Sequence, residues 1–306
     1  MSSDPIFIHA SWRAASTYVW AKFRHHPDTY SYFEPLNEHL TTATQAFVDG
    51  FRPWSFAHHP PLSVPYLEEF RPLIRPTGGV PGFPGRLVYG HYCAGRTTEL
   101  ADLKNYLEDL ALLARQHGRR PVYGFVRTDL RVGWFRAHMP GKHIFVRREP
   151  RRQFLSMLRQ AAKRNPYFLQ RGLVILQNNI RAPAFMPLLA AIDVRRLLNS
   201  TELRDVYAGR MEHEATLRQL YLIFYFMRLL SAPLGEAYCD LTIDIDRLSL
   251  DTGYRGDIER HVRDLVGMTI SFDDCAVERY DANLGWSHGF FDALEREAEQ
   301  IEIRLP

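Results

Sequence analysis

Residues 5–20 read PIFIHASWRAASTYVW, and residues 29–33 read TYSYF. The apolar run PIFIHA predicts a buried strand, and the aromatic, β-prone TYSYF predicts a second one. Between them, Val19, Trp20 and Phe23 recur at helical spacing, and a His-Pro-Asp turn follows. A strand, a short turn, a helix and a second strand form a βαβ unit. Such units build parallel sheets, so this stretch predicts an α/β protein.

The rest of the chain continues the alternation of strands and helices. Further strands are predicted at 121–126, 143–146 and 237–245, and helices at 98–117, 130–138, 149–171 with a break at Asn165-Pro166, 211–230, 258–266 and 290–301. We therefore expect a single domain over residues 1–306. Its fold class is an α/β three-layer sandwich, with a central, mostly parallel sheet of about five strands and helices on both faces.

One long segment interrupts this pattern. Eight of the 19 prolines fall within 53–84, so the segment cannot be a regular helix or a central strand. A linker between two domains is one interpretation. The aromatic residues in it, among them Trp54, Phe56, Tyr66 and Phe70, favour an ordered segment. We predict a lid or acceptor-side insertion at about 50–95.

The composition is that of an ordinary globular protein, with 46% hydrophobic and 24% charged residues among 306. A formal net charge of +3 gives no support for nucleic acid as a partner. Four of the 38 basic residues are lysines, which leaves 34 arginines. Codon usage explains such an imbalance, but so does a site for anions, because guanidinium groups match phosphate and sulfate oxygens.

Cysteine usage and apolar runs predict the compartment. Cys93, Cys239 and Cys275 have neither disulfide nor zinc spacing. The first residues lack the basic start and apolar stretch of a secretory signal. The most apolar run, 220–227, is far shorter than the ~20 residues that span a bilayer. We predict a protein without a membrane span in the reducing cytoplasm.

The turn after the first predicted strand, Ser11-Trp12-Arg13-Ala14-Ala15-Ser16-Thr17, is suited to an anion. In open α/β sheets, ligands lie at the carboxyl ends of strands against helix N-termini, whose free N–H groups favour negative charge. Arg13 adds a guanidinium group, and Ser16 and Thr17 add hydroxyl donors. The alternative is an ordinary capped helix with a surface arginine. Neither GxxxxGK[ST] nor GxGxxG is present.

A second basic turn follows the strand predicted at 143–146. Residues 142–156 read KHIFVRREPRRQFLS, with Arg148 at the strand end, Pro150 at a helix start and Ser156 eight residues after Arg148. Arg148 and Ser156 are therefore candidates to bind one phosphate together. An exposed basic helix start is the alternative interpretation.

Together these motifs resemble the sulfotransferases that use phosphoadenosine phosphosulfate (PAPS), closer to the carbohydrate and tyrosine type than to the cytosolic small-phenol type. That family has a loop like RSGTT after its first strand, matched here by Arg13, Ala14, Ala15, Ser16 and Thr17. The resemblance implies that this loop holds the five-prime phosphosulfate. Ala15 stands where glycine is usual.

The second family signature is a strand, then R-D/N-P, and a serine eight residues after the arginine. Residues 139–156 are similar to it, which implies that Arg148 and Ser156 bind the three-prime phosphate. Residues 238–241, YCDL, resemble the family's YEDL near the last strand. The family implies a P-loop-like fold, PAPS as co-substrate, its desulfated form PAP as product, and no metal.

The resemblance also suggests the catalytic groups. Glu34, in the segment TYSYFEPL, corresponds to the glutamate base of the tyrosine and carbohydrate enzymes, with a structural ion pair to an arginine as the alternative. Residues 127–130, RTDL, resemble the K-T-H-L segment of cytosolic sulfotransferases. Asp129 is then the rival base and Arg127 the group that stabilises the sulfuryl oxygens. An Arg127–Asp129 ion pair is the structural alternative. We take Glu34, Arg13 and Arg127 as the catalytic candidates.

The predicted activity is sulfuryl transfer from PAPS to a hydroxyl group on a glycan, a glycolipid or a tyrosine. Two alternatives stay open: a nucleotide-dependent kinase with a degenerate phosphate loop, and a non-catalytic nucleotide-binding protein on the same fold. His25-His26 and His58-His59 are adjacent pairs without a third ligand at a known spacing, so we predict no metal site.

Overall fold

Five parallel strands form the centre of the molecule in the computed structural model, which describes residues 4–51, 63–210, 212–277 and 288–306. They are β1 (Ile6–His9), β2 (Thr29–Phe33), β3 (Arg120–Gly124), β4 (Lys142–Arg147) and β5 (Leu241–Asp244). Their order in the sheet is β2-β3-β1-β4-β5, and every pairing is parallel. All residues of β1, β2 and β3 are buried, as expected for a parallel sheet that helices cover on both faces.

Thirteen helices accompany the sheet in the described ranges. They are α1 (Ser16–Arg24), α2 (Gln45–Gly50), α3 (Ala101–Gln116), α4 (Val132–His138), α5 (Pro150–Ala162), α6 (Tyr167–Asn178), α7 (Met186–Ala191), α8 (Val194–Asn199), α9 (Thr201–Tyr207), α10 (Glu214–Tyr238), α11 (Ile245–Leu250), α12 (Thr252–Val266) and α13 (His288–Glu299). Short 3-10 turns lie at Glu38–Thr41, Glu68–Leu73, Gly85–Leu87 and Pro183–Phe185.

Helices cover both faces of the sheet. On one face, Trp20 of α1 packs against Phe33, with ring centroids 4.9 Å apart. On the other face, Tyr32 of β2 donates a hydrogen bond of 2.7 Å to the Leu110 carbonyl of α3. Farther along that face, Gly235 of α10 lies directly against the Phe145 ring of β4. The expected α/β sandwich with a central parallel sheet is therefore present.

The predicted elements agree with the structure near the first βα unit and diverge toward the C-terminus. Strand β2 occupies the predicted residues 29–33. The strand predicted at 237–245 is wrong in its first half, because α10 continues to Tyr238. Pro233 lies within this helix, although proline in a helical sequence pattern usually predicts the end of the helix. Helices α7, α8 and α9 were not predicted.

The described part of the predicted insertion, residues 63–95, packs on the sheet rather than forming a solvated linker. Leu67, Phe70 and Leu87 are completely buried. Glu69 accepts hydrogen bonds from Arg24 of α1 at 2.7 and 2.9 Å. Trp54 and Phe56, and the pair His58-His59, lie outside the described residues. The insertion is thus fixed to the body of the protein over residues 63–95.

The apolar run 220–227 lies inside α10 and is buried almost throughout. Within the described ranges, no helix combines the length and apolar character needed to cross a membrane.

The contact between α10 and the sheet gives a stability prediction with an unusual sign. Gly→Ala within a helix normally stabilises by about 0.5–1 kcal/mol. At Gly235, however, an added Cβ would lie 2.5 Å from the Phe145 ring, so we expect Gly235→Ala to destabilise the fold by about 1–3 kcal/mol. Gly256→Ala in α12 is the matched control, since nothing lies within 4 Å of its Cβ position. Urea unfolding measures both, and a stabilised Gly235→Ala contradicts the tight packing.

Candidate active site

The strand order defines one crevice at the carboxyl edge of the sheet. Strands β1 and β4 are neighbours, with His9 aligned to Phe145. After β1 the chain crosses to β2 at one edge, whereas after β4 it leads to β5 at the other edge. The loops that follow β1 and β4 therefore diverge and leave a gap between them. Ligands of open α/β sheets bind at such a switch point.

The loop after β1 turns sharply before α1 begins at Ser16. Arg13 and Ala15 both have left-handed backbones, with φ of 66° and 63°. Ala15 is the N-cap residue of α1, and its side chain offers no cap, so the first turn of the helix is not closed by a side-chain acceptor. A left-handed conformation at position 15 is the reason that glycine suits this position better than alanine.

The residues predicted from the two basic turns meet in the crevice. Arg13 Nε donates a hydrogen bond of 2.9 Å to Ser156 Oγ, across 143 positions of sequence. Arg148 NH1 lies 3.4 Å from the Arg13 carbonyl oxygen and donates to it. The Arg13 guanidinium also lies over the Phe168 ring, 5.1 Å from its centroid. Arg13 thus contacts both Ser156 and Arg148, which the separate predictions for the two turns did not include, and we call these three residues the anion cluster.

The start of α5 supports this arrangement. Pro150 is its first residue, and the Glu149 side chain accepts hydrogen bonds from the N–H groups of Arg151 and Arg152. Arg148 is only 6% exposed, with Asp246 Oδ1 3.8 Å from its Nε. Asp246 thereby offsets part of the positive charge in the crevice and orients Arg148.

Arg127 is the centre of a second cluster at the same edge of the sheet. Its NH1 donates a hydrogen bond of 2.6 Å to Glu34 Oε2, and its NH2 donates to Glu38 Oε2. NH2 also donates to the Tyr167 hydroxyl at 2.8 Å. Arg127 is 1% exposed, and its guanidinium lies over the Trp12 ring. Glu34 is therefore paired with an arginine, as the structural alternative for this residue predicted.

The carboxyl groups of Glu34 and Glu38, which both contact Arg127, differ in their pKa. Burial raises the pKa of Glu34 above its usual 4.5, and the charge of Arg127 only partly reverses this. For Glu38, burial also acts to raise the pKa. Arg127 and the hydrogen bonds from Tyr167 and Tyr89 outweigh it, so the pKa of Glu38 is lowered. Glu34 is thus the more basic carboxylate of the pair.

Asp129 is paired with other groups than Arg127, so the structural alternative of an Arg127–Asp129 ion pair is wrong. Asp129 Oδ1 accepts a hydrogen bond of 2.7 Å from the Tyr92 hydroxyl, and Oδ2 lies 3.7 Å from Arg228 NH1. Burial raises the pKa of Asp129 against the opposing effect of Arg228.

Thr128, which lies between Arg127 and Asp129 in the sequence, contacts a buried pair of histidines. Thr128 Oγ1 lies 2.9 Å from His9 Nδ1, and His9 Nε2 lies 3.1 Å from His143 Nδ1. Burial holds the pKa of His9 well below its usual value, so the ring is neutral. This buried chain of contacts anchors the segment that carries Arg127 and Asp129 to β1 and β4.

Several site residues were missed by the sequence reasoning. Glu38 and Tyr167 both contact Arg127, and Tyr89 donates a hydrogen bond of 2.9 Å to Glu38. Arg171 donates to the Tyr89 hydroxyl. Glu38 lies four residues after Glu34, and this spacing was the only local signal. Tyr89 and Tyr92 show that the insertion contributes side chains to the site.

The YCDL segment, residues 238–241, lies where β5 begins to pair with β4. Asp240 Oδ2 accepts a hydrogen bond of 2.8 Å from the His143 N–H, and the Asp240 N–H donates to the His143 carbonyl at 2.8 Å. Asp240 therefore begins the pairing of β5 with β4.

No group of three or more His, Cys, Asp or Glu side chains with metal-site geometry occurs among residues 4–51, 63–210, 212–277 and 288–306. Comparisons with family models, with curated proteins and with solved structures give no match for this chain. The functional argument therefore depends on the residues of the site itself.

The left-handed turn at Ala15 gives a prediction for the loop. A β-branched residue at positive φ is strained, so we expect Ala15→Val to destabilise the protein by about 1–3 kcal/mol. Ala15→Gly adopts the same backbone without strain and is expected to leave stability within about 1 kcal/mol. Urea unfolding of both variants tests this. Equal stability of the valine and glycine variants would show that the turn is not a constraint.

Proposed function

We propose that this protein is a PAPS-dependent sulfotransferase that transfers the sulfuryl group to a hydroxyl acceptor. The observation that supports it best is the anion cluster, because Arg13, Arg148 and Ser156 lie far apart in sequence and meet at the switch point. These are the residues that the family resemblance assigns to the two phosphate ends of PAPS. The proposal includes a reducing, cytoplasmic setting, supported by free thiols at Cys93, Cys239 and Cys275.

The donor fits the chemistry of the crevice. The N-terminus of α1 presents N–H groups and a partial positive charge to the five-prime phosphosulfate, together with Arg13, Ser16 and Thr17. Arg148 and Ser156 bind the three-prime phosphate. Arginine and N–H donors neutralise the anion, so the proposed mechanism uses no metal.

The reaction is an in-line displacement at sulfur. The acceptor oxygen forms a bond to sulfur while the bond between sulfur and the bridging phosphate oxygen breaks, and PAP leaves with the electron pair. The acceptor's proton passes to Glu34. Arg127 and Arg13 stabilise the negative charge on the transferring group and on the leaving oxygen, so positioning and electrostatics supply most of the rate.

Three features of Glu34 favour it as the base. It follows the last residue of β2 at the carboxyl edge of the sheet, where its N–H donates a 2.8 Å hydrogen bond to the Gly124 carbonyl. Its backbone is left-handed, with φ of 43°, a strained conformation of the kind that clusters at functional sites. Its raised pKa makes the carboxylate a better proton acceptor. Arg127 contacts Oε2, and Oε1 is the proposed acceptor of the proton.

Donor binding is the first test. We expect PAP to bind and to raise the melting temperature, by an amount that corresponds to ~2.7 kcal/mol at 100 times its dissociation constant. Arg148→Ala removes a charged hydrogen-bond donor and should weaken PAP binding by ~1.5–3 kcal/mol in titration calorimetry.

Arg147→Ala is the matched control for this measurement, since Arg147 is more exposed and pairs with Asp244 at 3.4 Å instead. Equal losses in the two variants would remove the specific role of Arg148. Stabilisation by ATP with magnesium and not by PAP would favour the nucleotide-dependent kinase, and PAP binding without transfer to any acceptor would favour a non-catalytic nucleotide-binding protein.

Catalysis by Glu34 is tested by comparison with Glu38, the other carboxylate that contacts the Arg127 guanidinium. Glu34→Gln is expected to lower kcat by ~10²–10⁴-fold while PAP still binds, because the proton acceptor is lost. Glu38→Gln removes the other carboxylate on Arg127 and should cost clearly less. Similar losses in both variants would mean that Glu34 acts only by holding Arg127.

The pH dependence of kcat/KM tests the role of Glu34 independently. The base must be ionised, so kcat/KM falls as the pH drops through the pKa of Glu34. Because burial raises that pKa, the acid limb is expected at a higher pH than the usual 4.5 of a glutamate. Asp129→Asn retains this limb if Glu34 is the base. Loss of the limb in Asp129→Asn would transfer the role to Asp129.

A further inference from the structure

A cavity lies between α3 and the insertion, on the face of the sheet that α3 covers. Its volume is about 240 Å³. An apolar cavity of about 150 Å³ is large enough for benzene, so this one has room for a bicyclic aromatic group. Neither the anion cluster nor the Arg127 cluster contributes to its lining, so the proposed transfer reaction leaves it unused.

The lining of the cavity is mostly aliphatic. The insertion contributes Leu73, Val80 and Pro81, and α3 contributes Leu110, Leu112 and Leu113. Val80 and Leu110 are buried, whereas Leu112 is 54% exposed, the highest value among the large hydrophobic side chains of the described residues. An apolar ligand would therefore contact buried side chains inside and cover Leu112 at the open side.

The insertion wall of the cavity is fixed by backbone hydrogen bonds. The Val80 N–H donates to the Leu40 carbonyl at 3.0 Å, and the Gly79 N–H donates to the Ala43 carbonyl at 2.8 Å. Gly79 has a left-handed backbone, with φ of 77°, and a Cβ there would collide with the Thr41 carbonyl oxygen. Only glycine fits this position, which gives the wall one defined course.

The α3 wall is fixed in the same way. The Tyr106 hydroxyl donates a hydrogen bond of 2.9 Å to the Pro35 carbonyl, and the Tyr32 hydroxyl of β2 donates to the Leu110 carbonyl at 2.7 Å. Both walls are therefore held by contacts other than those with each other. The cavity is formed before any ligand enters, as in most small-molecule sites.

Most of the cavity lies away from the proposed transfer site. Tyr106 contacts Pro35 just beyond the carboxyl end of β2, whereas the His117 ring, after the end of α3, stacks on Tyr30 near the start of β2. Helix α3 thus runs antiparallel to β2. Its lining residues between 109 and 116 lie toward the amino edge of the sheet, and the anion cluster lies at the carboxyl edge.

The charge of the lining comes from Asp109. Among the described residues it is the only charged side chain of the cavity, and it has no hydrogen-bond or ion-pair partner there. The adjacent Glu108 does not line the cavity and lies 3.9 Å from Lys104. Asp109 is exposed, so its carboxylate lies at the open side of an apolar cavity. This arrangement favours a ligand with an apolar body and a positive charge at one end.

We propose that this cavity binds an arylalkylamine in its protonated form, with the aromatic group among the aliphatic side chains and the ammonium group at Asp109. A rigid bicyclic ring fills the volume and loses little conformational freedom on binding. The ligand occupies a second site and is not the acceptor of the transfer reaction. The proposal is therefore independent of the sulfotransferase function.

Titration calorimetry with three indole compounds tests the site. Tryptamine carries the ammonium group, indole-3-acetamide is neutral, and indole-3-acetate is an anion. We expect tryptamine to bind about 2–5-fold more tightly than the amide, the range for an exposed ion pair, and the acetate to bind most weakly. Absence of tryptamine binding, or tighter binding of the acetate, overturns the proposal.

The role of Asp109 is tested against the neighbouring carboxylate. Asp109→Asn should abolish the preference for tryptamine over indole-3-acetamide, because the negative charge of the cavity is lost. Glu108→Gln is the matched control and should retain the preference, since Glu108 lies outside the lining. A preference that survives in Asp109→Asn, or that both variants lose equally, overturns the assignment of the ammonium group to Asp109.

A pair of exposed leucines ties the aromatic group to this cavity. Leu112→Ala removes apolar surface from the open side and should weaken binding of all three compounds by about 3-fold or more. Leu250→Ala in α11 is the control, because Leu250 is similarly exposed, at 49%, and lies outside the lining. Both side chains lie at the surface, so both variants are expected to fold. Equal effects of the two variants place the compounds elsewhere and contradict the proposal.

Saturating PAP separates this site from the crevice. We expect the affinity for tryptamine to stay within about 2-fold when PAP is added, because the two sites share no residue. Competition between PAP and tryptamine places the amine in the crevice and overturns the proposal. If PAP does not bind at all, the sulfotransferase function fails, while the Asp109 and Leu112 variants still decide the second site.

Discussion

The parallel pairing of β1 with β4 is the constraint on which the site depends. It places the loop of residues 10–15 beside the loop that begins at Arg148. Because the chain leaves the two strands in opposite directions, neither loop fills the space between them. The contact between Arg13 and Ser156 follows from this arrangement, and so does the concentration of arginine at one edge of an otherwise apolar sheet.

That concentration of charge has to be neutralised, and the Arg127 cluster shows how. A guanidinium with 1% exposure is costly to bury unless carboxylates and other acceptors surround it. Glu34 and Glu38 both contact it, so protonation of one still leaves the other in place. A carboxylate that gains and loses a proton can therefore lie next to Arg127 without releasing it. The same pairing couples the position of Arg127 to the 3-10 turn that carries Glu38.

The helices beyond β4 complete the site from the side. Helix α6 supplies Tyr167 to the Arg127 cluster and Phe168 to the Arg13 guanidinium. Helix α10 supplies Arg228 behind Asp129. The insertion supplies Tyr89 and Tyr92. The crevice is thus enclosed by parts of the chain that lie outside the first βαβ unit.

The sequence by itself determined the class of fold and the two basic turns, whereas the contact between these turns comes from the strand order. Buried parallel strands are short apolar runs, and the turns after them carry their residues at fixed local spacings, so β2 and the Arg148–Ser156 turn were readable. Tertiary structure decided the rest. The partners of Arg127 lie 93 and 89 positions away, and no local pattern encodes such pairs. Likewise, Pro233 is accommodated within α10, because packing of this helix on the sheet outweighs the local preference of proline for a helix end.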